Sequence, residues 1–314
     1  MKFVDPKNDV AFKKIFGSED KTEILIAFLN AILDLHGDEA IKTVRQRSPY
    51  QTPELAWQKQ SILDIYAADN RGYTFIVEMQ VANVKGIKKR FTYYIAQEYS
   101  SQIDKGKNYI TLNPVIFIEI LDFELFEDPK KDEESKNQES EQIPESQESS
   151  KPKRKHEYLH CHKFLDSETY VQEFSDMELY FIQLPNFKKQ PHELSHLLDK
   201  WVYFIKHAEN LDVIPEHVEE PELQAAYEEA NQFGWTRLAL AEYEHRNIRI
   251  QDERGAITLA EDVAEERGVE KGIKKGRAEG IQLAKLEMAQ NLLSIGLPID
   301  QIVQASGLSI EQIQ

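Results

Sequence analysis

Asp64 and Glu78 carry the most chemistry this sequence offers. They lie on either side of the turn Asp69-Asn70-Arg71-Gly72, in the segment SILDIYAADNRGYTFIVEMQ. A three-residue loop, Asn70-Arg71-Gly72, would pair Asp69 with Tyr73. The same register would set Asp64 opposite Glu78 and Ile62 opposite Gln80. Like charges directly opposite each other destabilise a sheet, so a fold that keeps them calls for a positive charge between them. A hard divalent cation is the natural candidate: Mg2+ takes one or two carboxylates and completes its shell with water and substrate phosphate. Such an ion polarises a phosphate and lowers the pKa of bound water. Gln80 points to the same face and could orient a nucleophilic water, although it brings no charge. Spacing alone also fits a solvated strand face bearing two incidental acids.

The elements around these residues follow from periodicity. Alternation along two strands, 60–68 and 73–80, sends Leu63, Ile65, Ala67, Tyr73, Phe75, Val77 and Met79 to one wholly apolar face. Asp64, Tyr66, Ile76, Glu78 and Gln80 share the other. Upstream, a turn at residues 5–9 leads into a short helix through Phe12 and Phe16, stopped by Gly17. A second helix over about 19–35 follows from Ile24, Leu25, Phe28, Leu29, Ile32 and Leu33. A short basic strand is expected at 41–47. Downstream, a helix over 84–105 ends at Gly106, and residues 114–121 (PVIFIEIL) form the strongest buried-strand pattern. Lys88, Lys89 and Arg90 open that helix as a basic patch interleaved with Tyr93, Tyr94 and Tyr99. The patch suits phosphate contact, or ordinary snorkelling charge over a helix packed through Phe91 and Ile95.

Composition narrows the function classes. The net charge of −17 argues against a nucleic-acid binder, unless the acid lies away from the binding face. Much of it does: residues 127–155 are almost devoid of apolar side chains and read as a disordered acidic insertion. A single cysteine, Cys161, excludes an internal disulfide and points to a reducing, cytoplasmic setting. The start MKFVDPKNDV lacks the apolar core of a signal peptide, and no apolar stretch is long enough to span a membrane. No GxxxxGK[ST] loop is present, which disfavours an NTP-driven machine. His160-Cys161-His162 puts two histidines on one strand face, short of the four ligands zinc needs. Near the end, Gly268, Gly272, Gly276 and Gly280 recur every fourth residue among charges. That stripe would allow close helix approach in an oligomer, or mark a marginal solvated helix. Residues 288–314 then hold two short apolar helical patterns around Gly296 and Gly307.

The segment SILDIYAADNRGYTFIVEMQ resembles the core of the PD-(D/E)XK nuclease superfamily, and more narrowly the recombination-promoting nuclease (Rpn) and PD-(D/E)XK transposase family. DPKNDVAFKKIFG, IAFLNAIL, RFTYYIAQEYSSQIDKGKNY, LNPVIFIEILDF and the tail segments EKGIKKGRAEG and NLLSIGLPIDQIVQASGLSIEQI extend the likeness over nearly the whole chain except the insertion. The resemblance implies an α/β fold: a restriction-endonuclease-like core, with a mixed central sheet flanked by helices, followed by a helical C-terminal region. It implies a metal-dependent DNA endonuclease linked to recombination or mobile DNA, using Mg2+ with Mn2+ as a substitute. Asp64 and Glu78 fall on the metal-binding positions. Gln80 stands where the superfamily name implies lysine, and Leu63 where it implies proline. Glu23 is the best-placed candidate for the helical acid that often completes such sites, with Asp5 and Asp9 behind it. Lys88, Lys89 and Arg90 would contact DNA. Two other readings remain: a catalytically silent, self-associating DNA-binding or regulatory protein on this fold, and a phage-defence or toxin-like nuclease. The expected organisation is a nuclease core over 1–126, the insertion over 127–155, remaining core strands over 156–187, a helical region over 188–254, and a glycine-striped helix with a terminal helix pair over 255–314. The last would form a homo-oligomer.

Overall fold

The computed structural model describes residues 1–48, 50–51, 61–103, 106, 108–126 and 156–313; the expected insertion lies outside them. Two helices, α1 (Asp9–Phe16) and α2 (Thr22–Leu33), precede strands β1 (Val44–Gln46), β2 (Tyr50–Gln51), β3 (Ser61–Ile62), β4 (Ile65–Asp69) and β5 (Thr74–Gln80). Helix α3 (Ile87–Ser101) leads to β6 (Val115–Leu121), β7 (Leu159–Phe164) and β8 (Phe174–Gln183). Helices α4 (Leu197–His207), α5 (Pro221–Ala230), α6 (Arg237–Ser294), α7 (Ile299–Ser306) and α8 (Ile310–Ile313) complete the chain.

The main sheet runs β1-β4-β5-β6-β8-β7, and β2 and β3 pair separately. Strands β5, β6 and β8 are mutually parallel, while β1, β4 and β7 join by antiparallel pairing. A parallel pair needs a long crossover, and α3 supplies it between β5 and β6. Strands β5 and β6 are buried along nearly their whole length, as expected of a sheet covered on both sides. One face, with Phe75, Val77, Ile116, Ile118, Ile120 and Ile182, joins the large core that includes Phe16 and Phe28 of the first two helices and Trp201 of α4. The other, with Ile76, Val115, Phe117, Leu121 and Phe181, packs under Ile87, Phe91 and Ile95 of α3. This mixed sheet flanked by helices, followed by a helical region, is the expected restriction-endonuclease-like architecture.

Two compact units are present, Met1–Ile250 and Gln251–Gln314, and the boundary falls within α6. Ala289, Ile302, Leu308 and Ile313 form the small core of the second unit. Among the described residues, no helix is long and apolar enough to cross a membrane.

One local expectation needs correction. The strand predicted over 60–68 is not continuous: β3 ends at Ile62, and the main ladder begins only at Ile65. The chain bends at Leu63 and Asp64. Leu63 thereby leaves the face of Ile65 and Ala67 and packs into the α3 layer. The bend is what a strand requires when its first residues pair with a different partner, here β2.

Candidate active site

The hairpin forms in the register that its turn dictates. Ile65 pairs with Val77, Tyr66 with Ile76 and Ala67 with Phe75. The Asp69 carboxylate accepts hydrogen bonds from the amides of Arg71 and Tyr73, both at 2.9 Å, and from Arg71 Nε at 2.7 Å. Gly72 sits at φ +92°, where an added Cβ would also come within 2.7 Å of Asn113 Oδ1. A side chain here would strain the turn whatever Asn113 did.

Asp64 stands one residue before the ladder. Its Oδ2 accepts a 3.1 Å hydrogen bond from the amide of Met79, and Oδ1 is 3.1 Å from the ammonium of Lys13 on α1. The bend thus puts a carboxylate where the ladder would have presented a backbone carbonyl, and the Met79 amide keeps an acceptor.

Across the parallel strands, Glu78 pairs with Glu119, and Glu119 with Phe181. In-register residues of neighbouring strands point the same way, so the two carboxylates form a row on the α3 face. Glu78 is 3% exposed and Glu119 is fully buried. Glu78 Oε1 and both oxygens of Glu119 are buried without a hydrogen-bond partner; Glu78 Oε2 has only a 3.4 Å bond from the Gln80 amide. Arg90 of α3 turns inward, with Nε and Nη2 buried and likewise unpartnered.

Burial is the main influence on all three acids. It raises Asp64 against the opposing pull of Lys13 and the Met79 amide. It pushes Glu78 up to about 8, aided by the charge of Asp64 and opposed by Arg90 and Lys13. It lifts Glu119 well above the usual carboxylate range, aided by Glu78 and opposed by Arg90. A row of carboxylates that resists ionisation and lacks donors is the environment a bound cation would reverse.

No group of three or more His, Cys, Asp and Glu side chains among the described residues is gathered in a way that could hold a metal ion. A cation here would draw on two carboxylates and water, a common arrangement for Mg2+. The orphaned oxygens of Glu78 and Glu119 fit that demand.

The structure brings Asp64, Glu78 and Gln80 together and adds Lys13, Arg90 and Glu119, none of which the hairpin pattern placed there. Glu23 is exposed in the first turn of α2, and it is not among the groups that act on Asp64, Glu78 or Glu119. Asp9 is on α1, where it pairs with Arg246 at 2.8 Å and adds a weak negative influence at Asp64. Asp5 pairs with Lys7 at 2.8 Å. Lys88 and Lys89 are exposed, with the Lys88 ammonium 5.1 Å from the centre of the Phe126 ring. Of the three tyrosines on α3, Tyr93 is exposed, and Tyr99 donates to Asp176 at 2.5 Å. His160 lies 3.0 Å from the Gln183 amide, and both His160 and His162 pack on Phe126. These histidines belong to the packing around the end of β6.

The family model described as PD-(D/E)XK nuclease family transposase matches residues 6–148 and 146–260. No curated protein and no solved structure matches the chain.

Proposed function

The chain belongs to the PD-(D/E)XK nuclease family transposases, and from that membership and the carboxylate row we propose that it is a Mg2+-dependent DNA endonuclease. The observation that carries this reading is the set of buried, unpartnered carboxylate oxygens near Asp64, one on Glu78 of the hairpin and two on Glu119 of β6. Asp64 and Glu78 would hold the ion, and Mn2+ would substitute for Mg2+. When bound, the ion would supply Lewis acidity toward a backbone phosphate and a lowered pKa for a coordinated water.

The rest is done by side chains of this chain. Lys13 offsets the charge of Asp64 at 3.1 Å, and the Met79 amide ties its other oxygen to β5. Gln80, half-buried at the end of β5, offers an amide that can orient a water by hydrogen bonds. Arg90 brings positive charge to the row from α3, while Lys88 and Lys89, exposed in the first turn of the same helix, would contact the DNA backbone. DNA is the substrate, in recombination or movement of mobile DNA. The glycine-striped length of α6 would make a homo-oligomer.

A second reading has one observation of its own. Both oxygens of Asp64 already have protein partners, as they would in a catalytically silent DNA-binding protein. Incubation of single- and double-stranded DNA with Mg2+ separates the two. Cleavage abolished by Asp64→Ala and by Glu78→Ala is expected; cutting undiminished in both variants removes the site assignment, and binding without cleavage over a range of divalent ions favours the silent reading.

A further inference from the structure

We infer that Glu119 is a cation ligand, and that the ion lies between Glu78 and Glu119 rather than between Asp64 and Glu78 alone. The inference deepens the proposed reading and rests on it in taking this pocket to bind a divalent cation. Glu119 sits in the middle of a strand that is otherwise wholly apolar, Val115–Leu121. It is fully buried, and neither of its oxygens has a hydrogen-bond donor. Leaving a buried acceptor unsatisfied is costly, and more so when it is charged. A helical or surface partner would ordinarily relieve that cost, yet Arg90, the cation that acts on Glu119, also keeps two buried nitrogens without a hydrogen bond. Glu119 shares its face and its register position with Glu78, whose Oε1 is also orphaned.

The three unpartnered oxygens therefore belong to the Glu78–Glu119 pair. Asp64 contributes none, because Lys13 and the Met79 amide engage its two oxygens. Two carboxylates with water completing the shell is ordinary Mg2+ coordination. On this account Arg90 is the resident positive charge beside the pair in the ion-free protein, and Asp64 acts from the edge of the site.

The test is a titration of the full chain with Mn2+ alone, followed by electron paramagnetic resonance. Glu119→Gln, which keeps the shape and removes the charge, is expected to weaken Mn2+ binding at least about tenfold. An affinity unchanged or tightened overturns the inference, and the tightened case would show that Glu119 serves only to hold Arg90. Should Glu119→Gln fail to fold, Mn2+ soaked into wild-type crystals decides by anomalous scattering. Density against a Glu119 oxygen supports the assignment, and an ion touching only Asp64 and Glu78 overturns it. The two failures are distinguishable. Mn2+ binding that depends on Glu119 without DNA cleavage removes the nuclease reading alone; cleavage that depends on Asp64 and Glu78 with an affinity indifferent to Glu119 removes this inference alone.

Discussion

Asp199 and Glu119 are both fully buried acids, and they could hardly be treated more differently. Asp199, in the first turn of α4, accepts from Tyr158 Oη at 2.6 Å, from Lys189 Nζ at 2.7 Å and from the His196 amide at 3.2 Å. Burial pushes its pKa up, but the Lys189 and Tyr158 hydrogen bonds outweigh it and hold the carboxyl below the usual range. Glu119 has no such donor, and its pKa moves the other way. Depth alone therefore says little about function. A satisfied buried acid caps and ties elements together; an unsatisfied one beside a second carboxylate awaits something the protein itself does not provide.

The largest effect that would sharpen this contrast is on activity. Glu78→Gln is expected to lower DNA cleavage by more than about 100-fold, while Asp199→Asn changes it by less than about threefold in the folded fraction. Equal losses in both would erase the distinction. Next comes stability. Asp199→Ala removes three hydrogen bonds to a charged group and is expected to cost about 3 kcal/mol, read from chemical denaturation with or without Mg2+; a loss below about 1 kcal/mol would mean that the Asp199 network matters little. Mg2+ should stabilise the wild type by about 2.7 kcal/mol at a hundredfold excess over its Kd, and Glu78→Gln should lose this gain. An equal gain in that variant would place the ion elsewhere.

The smallest effect is the pH slope of the ion-free protein. Glu78 is raised from the usual carboxylate value to about 8, so between about pH 4.5 and pH 8 the folded state binds more protons than the unfolded state. From Glu78 alone, stability should fall as pH rises through that window by at most about 1.4 kcal/mol per unit. Asp199 has the opposite sign: its lowered pKa gives stability that is present above the unfolded value and lost as pH falls through the folded one. Melting in EDTA across pH 5–8 should therefore become shallower with Glu78→Gln, Glu119 keeping a slope of the same sign, and keep its slope with Asp199→Asn.

How much of this could be read in the sequence depends on the distance over which each feature is determined. The hairpin register is local: one turn, closed by Asp69 and Gly72, and period-two alternation set it. The Asp64 bend escaped because it depends on Ser61 and Ile62 pairing with Tyr50 and Gln51 in a separate sheet. Lys13 reaches Asp64 from a helix far away in sequence, which no periodicity reports. Glu119 had a signal. It is the lone acid in the apolar run PVIFIEIL, and a lone acid within a strand buried on both faces is rare unless it is paired. Glu23 shows the converse limit. A first-turn glutamate on the right helix satisfied a family expectation, yet its exposure follows from the turn of the helix it occupies.

The attachment of α1 has a practical corollary for anyone trimming the long C-terminal helix. Its early turns grip the N-terminal segment: Tyr243 Oη accepts a 2.7 Å hydrogen bond from the Asp5 amide, while Asn8 Nδ2 donates to the Tyr243 carbonyl at 3.2 Å and to Asn247 Oδ1 at 2.7 Å. Arg246 adds its pair with Asp9. A stop codon before position 247 would thus loosen the mount of Lys13 as well as shorten the tail, so loss of cleavage in such a deletion would say nothing about assembly. A stop after Glu253 spares every one of these anchors, and light scattering on that protein would report the tail alone.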